Sequence, residues 1–180
     1  MAQLEDSVAE WDGLHDAHGY PTNPLMYDRV RQALALAQRE PIAVTLMLFA
    51  WEPLRDEPML PAAEVLHRIH GSVRASDTAG HLGSRVALLL PNANDADVPL
   101  VAGRLMIRMM EPFMLAGRPV MARASAGLAV AQNGDSVPTP EELFARSELA
   151  LADAIERGGG FAGHSSAESQ AFLESMTPTA

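Results

Sequence analysis

The chain contains no cysteine and no lysine in 180 residues. Without cysteine there can be no disulfide, no thiolate metal site and no cysteine nucleophile. Without lysine there is no P-loop lysine, no Schiff base and no Ser-Lys dyad. All 13 cationic side chains are therefore arginines, which genomic base composition explains more simply than function does. Aromatic residues make up only 5% of the chain. No apolar run reaches the roughly 18 residues that a bilayer-spanning helix needs. Met1 to Glu10 show neither the basic start nor the apolar stretch of a secretory signal. These absences predict no membrane span and a cytoplasmic location. The formal net charge is -10, so counterion release from a nucleic-acid backbone is an unsuitable driving force and no nucleic-acid partner is expected. A small anion held by local arginines remains compatible with that charge.

What is present fits one domain. At 48% hydrophobic residues, a chain of this length can bury about 70% of the surface it exposes when unfolded. Residues 1–13 read as an N-terminal helix or linker, with Leu4, Val8 and Trp11 at helical spacing as a dimer or docking contact. Residues 14–164 read as the domain, and residues 165–180 as a C-terminal tail. A turn-rich segment, His15 to Pro24, leads into a helix with Leu25, Tyr27, Val30, Ala33, Leu34 and Ala37 on its apolar face, running to about Arg39. Ile42 to Ala50 is continuously apolar, as in a strand buried on both faces. Trp51 to Pro58 reads as a charged, proline-broken loop. A second helix spans about Leu60 to Val73. His81 to Ser84 forms a hairpin turn before the strand Val86 to Leu90. Asn94 is placed to cap a third helix from about Asp95 to Met110. Strands near Phe113–Leu115 and Val120–Val130 follow. Thr139 and Glu142 have capping-box spacing, and Gly158-Gly159-Gly160 ends the fourth helix. This order predicts an α+β domain with a mostly antiparallel sheet covered by helices.

Several local motifs together resemble the GGDEF (diguanylate cyclase) domain. Asp16 to Pro21, then Leu25, Asp28 and Arg29, are similar to that family's opening motif, with one residue missing before Gly19. Arg74-Ala75-Ser76-Asp77 resembles its Arg-x-x-Asp, and Ala87-Leu88-Leu89-Leu90-Pro91 its signature strand. Ser125 to Ala129, and Glu141 through Gly159, resemble its later strand and final helix. The resemblance implies a nucleotide-cyclase palm of ferredoxin-like type, with about five strands flanked by helices. It also implies cyclic di-GMP signalling in a bacterium.

The departures from the family pattern are as informative. Family members place metal-binding acids at the end of the first strand and in the signature hairpin, because Mg2+ takes hard oxygen ligands. Here the first strand ends Leu48-Phe49-Ala50-Trp51, and the hairpin reads Gly83-Ser84-Arg85-Val86, with a cation where the family has an acid. The family's phosphate-binding lysine falls near Ile155. From these losses the expectation is a degenerate domain that is not an enzyme, with no catalytic residue, no metal and no cofactor. Arg74 and Asp77 match the family's inhibitory cyclic di-GMP site, with Arg104 as its secondary arginine. Arg is suited to phosphate and guanine edges, and Asp accepts from the base. The competing reading makes Arg74 and Asp77 a surface ion pair and Arg104 a solvated helix residue. The expected function is a cyclic di-GMP receptor or a protein-interaction element, with a protein partner and a homodimer as possible assemblies. The alternatives are a scaffold without nucleotide and a residual GTP-binding domain. Glu64, His67 and His70, three apart on a helix, resemble some metal sites in spacing, but without a second carboxylate cluster a partly exposed polar helix face is the better explanation.

Overall fold

A computed structural model of the chain describes residues 13–54, 56–132 and 137–164. The proposed N-terminal helix and C-terminal tail lie outside the described residues. Helix α1 (Asn23–Ala37) buries Met26, Val30, Leu34 and Ala37 along one face. Strand β1 (Val44–Pro53) follows, then α2 (Ala62–His70), which buries Val65, Leu66 and Ile69. A hairpin of β2 (Thr78–Leu82) and β3 (Arg85–Pro91) leads to α3 (Val98–Met110). The short strands β4 (Phe113–Leu115) and β5 (Arg118–Val120) form a hairpin of their own. Its two-residue turn, Ala116-Gly117, has positive φ at both positions (50° and 79°), which matches the right-handed twist of the flanking strands. Strand β6 (Ala122–Ala131), α4 (Pro140–Glu156) and β7 (Gly160–His164) complete the fold.

The main sheet has the order β2-β3-β1-β6-β7, with every pairing antiparallel except β6–β7. This is the expected α+β architecture. Its central strand β1 is fully buried from Val44 to Phe49. Met47 and Phe49 point into the core beneath α2 and α3, whereas Val44, Leu46 and Leu48 point into the core beneath α1 and α4. The strand therefore reads as one apolar run because helices cover both faces.

Four sequence expectations need adjustment. Strand β1 continues through Trp51, Glu52 and Pro53 in register with Ala124, Arg123 and Ala122 of β6, so the expected loop starts later. Helix α3 starts at Val98 rather than Asp95, because the Asn94 side chain accepts from the backbone N–H of Ala96 (2.9 Å) and Asp97 (3.2 Å) and so closes a separate turn first. The expected strand from Val120 to Val130 is divided at Met121 into β5 and β6, which belong to different sheets. Finally, the glycine stop after α4 leads directly into β7, a strand with no apolar alternation to announce it. The capping box holds as read: Thr139 N donates to the Glu142 carboxylate at 2.8 Å, and Glu142 N to the Thr139 hydroxyl at 3.2 Å.

Among the described glycines, the closest backbone approach lies between α4 and β6. A Cβ on Gly127 would sit 2.1 Å from Leu151 N and 2.3 Å from Ser147 O. At the same crossing the buried Ser147 hydroxyl is within reach of Leu143 O (3.0 Å) and Leu46 O (3.2 Å). The Gly127→Ala substitution should therefore lower unfolding stability by about 3 kcal/mol, the upper range for overpacking. Gly71→Ala, where a Cβ would meet nothing nearer than 3.6 Å and φ is helical, should be neutral or slightly stabilising. Urea unfolding midpoints of the two variants check this contrast.

Candidate functional site

The candidate site is assembled where the opening loop lies across the start of β2. Asp16 organises that loop. Its Oδ1 accepts from the backbone N–H of His18 (2.9 Å) and Tyr20 (2.8 Å), and its Oδ2 lies 2.6 Å from Nε2 of His81 on β2. Gly19 supplies the positive φ of 82° that the turn requires. The loop is then tied down by His81 N–H donating to Pro21 O at 2.7 Å. It lies flat on the sheet because Gly80 has no side chain: a Cβ there would be 2.6 Å from Pro21 O and 2.7 Å from the Met26 side chain.

Burial would raise the Asp16 pKa, but the hydrogen bonds from the Tyr20 backbone, the His81 ring and the His18 backbone together outweigh it and hold the carboxyl below its ordinary value of 3.8. Burial, followed by the neighbouring Asp16 carboxylate, raises the Tyr20 phenol.

Across from the loop, the segment between α2 and β2 closes on itself through Arg74 and Asp77. Arg74 N–H donates to Asp77 Oδ2 at 2.8 Å, and Asp77 N–H donates to Arg74 O at 3.0 Å. The two residues are therefore joined through backbone, not by the side-chain ion pair considered from sequence. Among the described residues, the exposed Arg74 guanidinium makes no ion pair. The end of α2 is fixed by Arg68, which donates to the carbonyls of Arg108 (3.1 Å), Glu111 and Pro112 (2.7 Å) at the C-terminus of α3 and stacks on the Phe113 ring.

Between loop and turn lies a cleft of about 370 Å3, lined by His15, His18, Tyr20, His70, Asp77 and Ala79, among others. The Tyr20 and His70 rings meet edge to face, with centroids 5.8 Å apart. The expected site residues are thus only partly brought together. Asp77 lines this cleft and Arg74 shares its turn. Arg104 is exposed on α3 and is not among the lining residues.

The hairpin lies at the other end of β2, about 17 Å from the Asp77 turn at roughly 3.4 Å per residue. There Gly83, at φ 60°, donates its N–H to the Asn23 side chain at 2.8 Å. Ser84 is exposed, and Val86 is fully buried in the core. Arg85 pairs with Glu148 of α4 at 3.1 Å, so its charge is offset locally. At the end of β1 stands a carboxylate that sequence reading had assigned to a loop: Glu52, paired with Arg123 of β6 at 3.1 Å. Both carboxylates are engaged by guanidinium groups, and among the described residues no three His, Asp or Glu side chains converge to hold a metal ion. This donor set does not fit the divalent-metal centre that the resemblance implies. The spacing of Glu64, His67 and His70 likewise forms no such group.

No family model matches the chain. It is 32% identical over 147 residues to the bifunctional diguanylate cyclase/cyclic di-GMP phosphodiesterase MucR of Pseudomonas aeruginosa. That match covers 77% of this chain but only 21% of the relative's length. Among solved structures, the isolated GGDEF domain of YfiN (TpbB) from Pseudomonas aeruginosa superposes with a TM-score of 0.72 at 22% identity, covering 89% of this chain and 99% of that one. The GGDEF domain of DgcB from Caulobacter crescentus, solved with cyclic di-GMP, gives a TM-score of 0.68 at 12% identity, covering 84% and 96%. The chain therefore has the GGDEF-domain fold. The relative's named cyclase activity overturns the expectation that the chain is not an enzyme. Two of the premises behind that expectation also change in the structure, since Glu52 lies on β1 and Arg85 is paired. Among the described residues, no helix is long and apolar enough to cross a membrane.

Because the folded Asp16 pKa is depressed, its contribution to stability is present above pH 3.8 and is lost as pH falls below that value. Asp16→Asn should cost about 1.5 kcal/mol near neutral pH, the lower range for hydrogen bonds to a charged group. The gap to wild type should narrow in acid. Chemical unfolding at several pH values measures it.

Proposed function

We propose that this domain is a cyclic di-GMP-binding module of a bacterial signalling system, with Arg74 and Asp77 as its principal ligand contacts. The observation that carries this reading is the Arg74–Asp77 turn. Its backbone hydrogen bonds are satisfied internally, which leaves an exposed guanidinium beside a carboxylate at the edge of a preformed cleft. A guanidinium presents a planar fork of donors suited to phosphate and to the guanine edge, and a carboxylate accepts from guanine N–H groups. The strongly acidic chain is no obstacle, because a small anion responds mainly to the charges nearest it. Arg104, on the helix beside α2, supplies a second guanidinium in this reading. Binding would act on a protein partner or a second copy of the chain by favouring the conformation with the higher ligand affinity.

The 32% identity to MucR across 77% of the chain favours a second reading, in which the domain turns over a guanine nucleotide. Cyclic di-GMP formed from GTP by the wild-type protein would establish it.

Calorimetric titration with cyclic di-GMP tests the first reading. The expected affinity is micromolar, about -8.2 kcal/mol at 1 μM. Arg74→Ala should weaken it at least tenfold, while Arg85→Ala, at the distant hairpin, should leave it unchanged. Equal binding by wild type and Arg74→Ala would contradict the assignment.

A further inference from the structure

The binding reading places ligand contacts on one wall of the cleft only, the Arg74–Asp77 turn. The rest of the cleft lining carries a feature that reading does not use: His15 and His18 from the opening loop border the same space as His70 from the end of α2. All three residues are exposed. Among the described residues no group of three His, Asp or Glu is placed to hold a metal ion. Imidazoles without that convergence suit an anion, which each ring can meet with an N–H. Resting on the binding reading of Arg74 and Asp77, we propose that His15, His18 and His70 together form a phosphodiester subsite, and that it links ligand binding to proton uptake.

The charges around the cleft support that linkage. From the opening loop come His15, Asp16, His18 and the Tyr20 phenol; from α2, His67 and His70; from the turn, Arg74 and Asp77; from β2, His81. Asp16 is engaged by His81 and by two backbone N–H groups. The Arg68 guanidinium is directed to the C-terminal carbonyls of α3. The cleft and its loop therefore carry two carboxylates, Asp16, held ionised by its hydrogen bonds, and Asp77, which accepts from Arg74 N–H and the Ser76 hydroxyl, beside Arg74 and the three imidazoles. With neutral imidazoles, a phosphodiester entering the cleft meets two carboxylates, Asp16 and Asp77, and one guanidinium, Arg74, with no net attraction. With imidazolium ions it meets an excess of positive charge. Imidazoles ordinarily make this change near pH 6.5. A ligand that favours the charged form must then draw protons in, and its affinity must rise as pH falls through that range. The Tyr20 and His70 rings, edge to face at 5.8 Å, add an aromatic surface beside the subsite.

Calorimetry with cyclic di-GMP at about pH 6 and about pH 8, in buffers of different ionisation enthalpy, tests this. The expected result is affinity about tenfold higher at the lower pH, a difference of about 1.4 kcal/mol, with net proton uptake. The low-pH gain should be lost in the combined His15→Gln, His18→Gln, His70→Gln variant, which keeps His81. Proton NMR of the wild-type imidazoles gives a readout independent of that variant's folding: ligand should raise the titration midpoints of these histidines. Binding with the same affinity at both pH values, or unmoved midpoints, would overturn the subsite while leaving the Arg74–Asp77 reading intact. No binding at either pH would overturn both.

Discussion

The close approach of α4 to β6 at Gly127 is the contact on which the rest of the domain depends. Only a hydrogen atom fits between the strand and the helix backbone at Ser147 and Leu151. That approach sets α4 directly on the sheet and lets the Ser147 hydroxyl reach the Leu46 carbonyl of the central strand. Gly158, Gly159 and Gly160, all at positive φ, then turn the chain back to lay β7 beside β6 in parallel register. A parallel neighbour needs a long crossover connection, and α4 supplies it by lying directly on the sheet between β6 and β7. At the other edge, the same placement of α4 brings Glu148 within ion-pair distance of Arg85 in the β2–β3 hairpin.

A second glycine plays the corresponding part for the cleft. Gly80 lets the opening loop and Met26 rest against β2, and Asp16 then locks the loop through two backbone N–H groups and His81. Sheet, loop and turn together make a preformed cleft, and a preformed cleft lowers the ordering cost of any ligand it takes. Arg74 and Asp77 sit at its edge through a turn closed by their own backbone groups. The hairpin that gives the fold family its name lies away from this cleft. Here it works as a tie: Gly83 to Asn23, Arg85 to Glu148.

Much of this was legible in the sequence where one residue type carries one physical role. The unbroken apolar run at β1 announced a strand covered on both faces, and Thr139 with Glu142 announced the start of α4. Gly83 marked the β2–β3 turn. Other features were hidden for definite reasons. Strand β7, Gly-Phe-Ala-Gly-His, is short and glycine-rich and pairs in parallel, so neither alternation nor a hairpin signals it. Glu52 and Pro53 read as loop residues, yet tertiary pairing with β6 extends β1 through them. The cleft joins residues from the opening loop and from the end of α2, more than 50 positions apart, and no spacing rule links His15 and His18 to His70. Arg74 and Asp77 were found by motif, but that Asp77 would bind the Arg74 backbone rather than its side chain could be seen only in three dimensions.

The central claim is that ligand is taken at the α2–β2 turn and its cleft, away from the hairpin. Two-dimensional amide NMR of the isotopically labelled chain, recorded with and without cyclic di-GMP, tests it most directly. The account predicts that the perturbed amides cluster at residues 15–20, 70–79 and the neighbouring part of α3, with the hairpin amides of Gly83 to Val86 unmoved. Perturbations centred on the hairpin and on the Glu52–Arg123 end of the sheet would contradict it.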